Sequence, residues 1–168
     1  MRVVTKLKVP RGRVRFLSDD ERTRLLEVCR TGASPTLLPI VTVAIYTGMR
    51  REEILELTWS NVDFERKRAI LHETKNVERR AVPLAPPIIN ALREWGRLRR
   101  LDTDLIFPSP ELPDQGLEIG KTFPRAIARA GIADCHFHDL RHNADIQIMP
   151  IRVFELRQAL RREGIKSA

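Results

Sequence analysis

The 168 residues carry 42% apolar side chains and a formal charge of +8, from 30 Lys+Arg against 22 Asp+Glu. That is enough for one domain with a proper core and too little for two full ones. The basic balance favours a polyanionic partner, nucleic acid first, over acidic or purely structural roles, although charge alone is equally compatible with a solvated basic surface. No apolar run reaches the roughly 18 residues that would span a bilayer, and the basic N-terminus is not followed by a signal-peptide core. Two cysteines far apart in sequence, Cys29 and Cys135, do not make a disulfide framework. The default location is therefore a reducing cytoplasm, with no membrane partner.

Residues 1–15 hold Arg2, Lys6, Lys8, Arg11, Arg13 and Arg15 around Pro10 and Gly12 without sustained periodicity. They read as a basic linker or arm, either a disordered tail or a strap along a phosphate backbone. Ser18 followed by Asp19, Asp20 and Glu21 is a capping-box start, and Leu25, Leu26 and Val28 continue a helix to about Arg30, ended by the 31–35 turn. The stretch Leu37 to Tyr46 is nearly all apolar and too long for an ordinary strand, so it reads as a buried central helix.

After Gly48 a helix is expected from near Met49, carrying Ile54, Leu55 and Leu57 inward and closed by Trp59. Glu52 and Glu53 suit its first turn, whereas Arg50 and Arg51 oppose the helix dipole there. Either an Arg–Glu ion pair accounts for them or something else requires a cation at that place. Asn61 to Phe64 reads as a turn. Two strands follow, Arg68 to Glu73 and Arg79 to Leu84, around a hairpin loop whose tip carries Lys75. Pro86-Pro87 opens a helix with Ile88, Ile89, Ala91, Leu92 and Trp95 inward, and Arg93, Arg97, Arg99 and Arg100 on what is more often a solvated face. Leu105 to Pro108 is a brief extended piece, and Ser109 to Gly116 is a loop. Helices are then expected over Ile119–Ala130 and Phe137–Ile148, the second placing His138 and Arg141 on one side. Pro150 precedes a last amphipathic helix marked by Val153, Leu156 and Leu160. His136, His138 and His142 beside Cys135 do not complete a zinc pattern, and no metal or other cofactor is expected.

Five stretches in this order resemble the tyrosine recombinase (phage integrase) family, in its C-terminal catalytic domain. They are Arg15-Phe-Leu-Ser-Asp-Asp-Glu21, Thr47-Gly-Met-Arg-Arg-Glu-Glu-Ile-Leu-Glu-Leu-Thr-Trp59, Thr74-Lys-Asn76 ahead of Arg79-Arg-Ala-Val-Pro-Leu84, Phe107-Pro-Ser-Pro110, and Phe137-His-Asp-Leu-Arg-His142. The resemblance implies a mainly α fold with a small antiparallel β-sheet (α+β), with an integrase-like catalytic domain over 16–146 and a divergent C-terminal helix over 147–168. It implies that Arg50, Lys75, His138 and Arg141 are catalytic, that Glu53 supports them, and that Arg50, Lys75, Arg141, Arg79 and Arg80 meet DNA.

The residue types suit the chemistry. Attack on a phosphodiester builds charge on the two nonbridging oxygens, which planar guanidinium groups can clamp. Lys75 could protonate the leaving sugar oxygen, His138 could bond the phosphate or handle the nucleophile's proton, and Glu53 would orient a cation rather than react. The resemblance fails after Asn143, where the family's next histidine or tryptophan and its attacking tyrosine would follow. The single tyrosine, Tyr46, is expected in the core. The expectation is a bacterial or phage-encoded, DNA-associated recombinase domain for DNA breakage, rejoining and integration, without its own nucleophile and therefore inactive in cleavage by itself. It would be truncated or frameshifted, and would act on double-stranded DNA, as a homo-oligomer or with a full-length integrase. The alternative is a cleavage-inactive remnant that binds DNA or an integrase.

Overall fold

A computed structural model of the chain describes residues 15–72 and 79–142. Residues 1–14 of the 1–15 arm, the hairpin tip with Lys75, and the expected terminal helix beyond Pro150 lie outside the described residues. Five α-helices, two short 3-10 helices and a three-stranded antiparallel sheet make up the named elements among the described residues. The domain is thus mainly α with a small sheet, as expected.

Helix α1 (Asp19–Thr31) starts at the expected capping box. Glu21 N–H donates to Ser18 Oγ at 3.1 Å, and Ser18 N–H donates to Glu21 Oε2 at 3.0 Å, so two of the helix's otherwise unpaired donors are satisfied reciprocally. Its Leu25 and Cys29, one turn apart, are buried. Helix α2 (Leu37–Thr47) is apolar on nearly every side and buried along its length, the arrangement its composition requires. Gly48 ends it with φ 66, a left-handed conformation that glycine adopts without a Cβ clash. Tyr46 is half-buried and packs on this core.

Helix α3 (Arg51–Leu55) is shorter than the sequence suggests. Leu57 is buried, but in an extended segment: it accepts from Ile106 N–H at 2.8 Å, while Trp59 N–H donates to Asp104 O at 2.9 Å. The backbone here is satisfied by the 104–107 segment instead of by another helical turn, and Trp59 opens a separate 3-10 turn, Trp59–Asn61. A second correction follows directly. The expected turn at 61–64 contains strand β1 (Val62–Asp63), paired antiparallel with β2 (Arg68–His72), which pairs in turn with β3 (Arg79–Pro83).

In the β2–β3 register Ala69 faces Val82 and Leu71 faces Arg80. Opposed residues of an antiparallel pair share a face. Since Ala69, Leu71 and Val82 are buried, Arg80 sits on the core-facing side of the sheet, near its end.

Helix α4 (Pro86–Gly96) begins with prolines where no intrahelical N–H is needed and buries Ile88, Ile89 and Leu92 against α2. The arginines after it are largely neutralised locally: Arg97 pairs with Glu94, Arg99 with Asp104 and Arg100 with Asp102. Arg93 lies over the Phe64 ring. This is the solvated face the sequence favours. Helix α5 (Thr122–Arg129) is trimmed at both ends relative to expectation and packs on α1, with Gly131 at φ 64 turning the chain away. The next element opens as a 3-10 turn, Phe137–Asp139, before a helical stretch over 140–142.

Candidate functional site

Two distant stretches of the sequence line one cleft of about 420 Å³: Arg50, Arg51 and Glu52 on one side, and His136, His138 and Arg141 on the other. Met49, Phe123 and Phe137 supply its apolar floor.

Arg50 stands immediately before α3, with extended backbone angles (φ −69, ψ 154). Glu53, one turn on, accepts the Arg50 backbone N–H at 2.7 Å and Arg50 Nη1 at 3.0 Å. A guanidinium cannot accept a hydrogen bond, so this is only the acidic half of a capping box. The same carboxylate takes Arg80 Nη2 on both oxygens at 3.0 Å. Glu53 therefore joins α3 to the inner face of β3 and holds two arginines at once. Its side chain is only 18% exposed whereas that of Arg50 is 55% exposed, so the pair is anchored at the acid and open at the base. Arg51 pairs with its neighbour Glu52 at 2.9 Å and stays exposed.

The Arg–Glu ion pair that the sequence offers as an alternative for Arg50 is present, and Arg50 nevertheless lines the cleft. The two readings are compatible because the pair leaves the guanidinium more than half accessible.

The opposite wall is positioned by packing. Phe137 meets Phe123 of α5 edge-on at 5.1 Å, and Leu140 is fully buried. Between them Asp139 is buried and accepts His136 N–H at 2.8 Å, closing the 3-10 turn. With Phe137 and Leu140 held inward, His138 is left exposed, and Arg141 follows it on the cleft side. Asp139 is a supporting residue that sequence reasoning misses. Its signal is there, an acid three residues after His136 at the start of a turn.

Cys135 immediately precedes this wall in the chain. Burial pushes its thiol up to about 11, with the nearby Arg15 guanidinium opposing the rise and Asp139 and Glu21 adding to it. It is a neutral thiol near neutral pH, not a poised nucleophile.

Of the remaining expected site residues, Lys75 lies outside the described residues. Arg79 is in β3 at the register position opposite His72. Arg80 is drawn to Glu53, a supporting contact beyond the DNA contact expected of it. Tyr46 is not among the residues lining the cleft.

The sequence profile of the phage integrase family matches residues 15–149. The shufflon-specific DNA recombinase of Escherichia coli is 35% identical over 142 residues, which cover 84% of this chain and 35% of that protein. The crystal structure of XerA recombinase superposes with a TM-score of 0.71 at 28% identity, over 86% of this chain and 53% of that one. A lambda integrase dimer bound to a COC' core site gives 0.65 at 20% identity, over 86% and 43%, a likeness of fold. The chain spans between 35% and 40% of the length of the curated relatives it matches.

Proposed function

Because this chain belongs to the phage integrase family, we propose that its cleft holds the sugar–phosphate backbone of double-stranded DNA at the bond broken and rejoined in site-specific recombination and DNA integration. One observation carries the reading: Arg50 and Arg141, 91 positions apart by their numbers (141 less 50), line the same cleft with His138 between a buried turn and solvent. An accessible pair of guanidinium groups matches the two nonbridging oxygens on which charge grows as the phosphorus is attacked.

In this reading Arg50 and Arg141 clamp those oxygens, and His138 hydrogen-bonds the phosphate or takes the proton of the attacking hydroxyl. Lys75 protonates the departing sugar oxygen as general acid. Glu53 positions Arg50 and, through Arg80, ties that arginine to the sheet. Arg79 extends the contact along the backbone, while Arg80 stays committed to Glu53. No metal is called on, since the guanidinium groups and the lysine supply both charge stabilisation and the proton. The arm over 1–15, the catalytic domain over 16–146 and the segment over 147–168 act as successive units, in a cytoplasmic, DNA-associated protein. The neighbouring lambda integrase is a dimer on its core site, which supports an assembly with a second copy or with an intact integrase on the same DNA.

A second reading is favoured by one fact: the single tyrosine of the 168 residues, Tyr46, is packed on the core. Within these 168 residues the clamp therefore has no tyrosine beside it, and a clamp alone stabilises a transition state but starts no covalent step. The chain would then bind DNA or an integrase without cutting. A nicked duplex incubated with the chain, alone and with an intact integrase, separates the two. A covalent protein–DNA adduct that requires Arg50 and Arg141 of this chain supports the recombinase reading. Salt-sensitive binding with no adduct under either condition supports the second.

A further inference from the structure

His138 is exposed at the cleft, and among the described residues no hydrogen bond or ion pair fixes its ring. What it touches is His142, one helical turn on, with ring centroids 5.5 Å apart and planes at 88°. His142 in turn meets Phe16 edge-on at 6.1 Å and 65°. Phe16 is 49% exposed, unusual for a phenylalanine, and it is nevertheless held on both sides. Its neighbour Leu17 is buried, and Arg15 pairs with Glu21 at 2.7 Å. The residue where the basic arm enters the domain therefore lies against the wall that bears His138.

We infer that His142 is a positioning residue for His138, with Phe16 as its backing, so that a row of three rings, Phe16–His142–His138, sets the orientation of the phosphate-facing imidazole. The role of His138 toward phosphate rests on the function proposed above; the ring relay itself does not. Perpendicular rings at this separation attract through edge-to-face contact. A half-buried ring backed by a held one narrows the rotamers open to an exposed side chain at the lip of a cleft. The spacing is built into the sequence: residues 138 and 142 fall on the same side once the segment turns helical. The row also makes the arm's entry point and the cleft parts of one chain of touching rings, so a displacement at Phe16 reaches His138 through a single intervening ring.

The test uses the full chain, labelled with 13C/15N-histidine, with resonances assigned by His138→Ala and folding checked by thermal unfolding. His142→Leu removes the ring, His142→Phe keeps it without the nitrogens, and Phe16→Leu removes the backing without touching the helix. The expected results are that His142→Leu moves the His138 ring signals towards those of a freely rotating side chain and lowers duplex affinity about two- to tenfold. His142→Phe restores both, and Phe16→Leu gives a smaller change in the same direction. In the double variant, loss of His142 adds nothing to loss of His138.

Unchanged His138 signals in a folded His142→Leu or Phe16→Leu protein overturn the relay. So does an affinity loss that adds in full to that of His138→Ala. Binding that is indifferent to Arg141→Ala would instead count against the DNA reading, while the ring signals would still decide the relay.

Discussion

The α2–α4 scaffold and the cleft are built on opposite terms. In the scaffold Ile40, Val41, Ile45, Ile88 and Leu92 are essentially inaccessible, and each is held by many neighbours, so no single contact decides its place. In the cleft Arg50 and His138 are exposed, and each is held by one partner: Glu53 for Arg50, the His142 ring for His138. The difference predicts that stability and binding are separable here. Substitutions in the first region should unfold the domain, and substitutions in the second should leave it folded and change what it binds.

The largest effect expected is in the scaffold. Leu92→Ala removes a fully buried side chain where α4 meets α2, and should cost about 2–5 kcal/mol in urea unfolding; a loss below about 1 kcal/mol would mean that this core is not close-packed.

Next comes the cleft itself. Arg50→Ala or Arg141→Ala should weaken duplex binding by about ten- to a hundredfold, the size of one charge-assisted hydrogen bond, with the unfolding midpoint nearly unmoved. A midpoint that falls as far as in Leu92→Ala would erase the distinction between the two regions.

Glu53 straddles both. Glu53→Gln leaves Arg50 and Arg80 without their shared counter-charge, and should cost about 1–3 kcal/mol of stability. Its effect on DNA affinity should largely vanish when Arg50 is already alanine. Equal effects with and without Arg50 would show that Glu53 acts elsewhere.

The smallest effect is at the α1 cap. Ser18→Ala should cost about 1 kcal/mol, read from thermal unfolding. The Glu21 half is pH-dependent: the Ser18 backbone N–H, opposed by partial burial and aided by Arg15, holds the Glu21 carboxyl below its ordinary range. A lowered folded-state value means that this stabilisation is fully present above the unfolded-state glutamate value, about 4.3, and is lost as pH falls through the folded one. Glu21→Gln should therefore be less stable than the parent near neutral pH, with the gap closing below about pH 4.

How legible each region is in the sequence follows the same division. The scaffold can be read because its signals are local: the Ser18/Glu21 box, the unbroken apolar run of α2, and Pro86-Pro87 ahead of α4. The differences between sequence and structure fall where distant backbone decides. Val62–Asp63 looks like a turn and becomes a strand only by pairing with Arg68 and Ala69. Leu57 belongs to no helix because the 104–107 segment satisfies its carbonyl.

In the site, the residue types are legible from motif and chemistry, and the supporting contacts are not. The Arg80–Glu53 bond spans 27 positions and depends on which face of β3 turns inward. The Phe16–His142 contact joins residues near the two ends of the described chain. Neither has a sequence period to reveal it.

The central claim is that Arg50 and Arg141 together hold a DNA phosphate. The most direct measurement is the salt dependence of duplex binding by the parent chain and by Arg50→Ala/Arg141→Ala. If the claim holds, the double variant keeps its unfolding midpoint while the slope of log K against log salt becomes shallower by about 0.9 for each phosphate no longer neutralised. An unchanged slope, with both proteins equally folded, would contradict it.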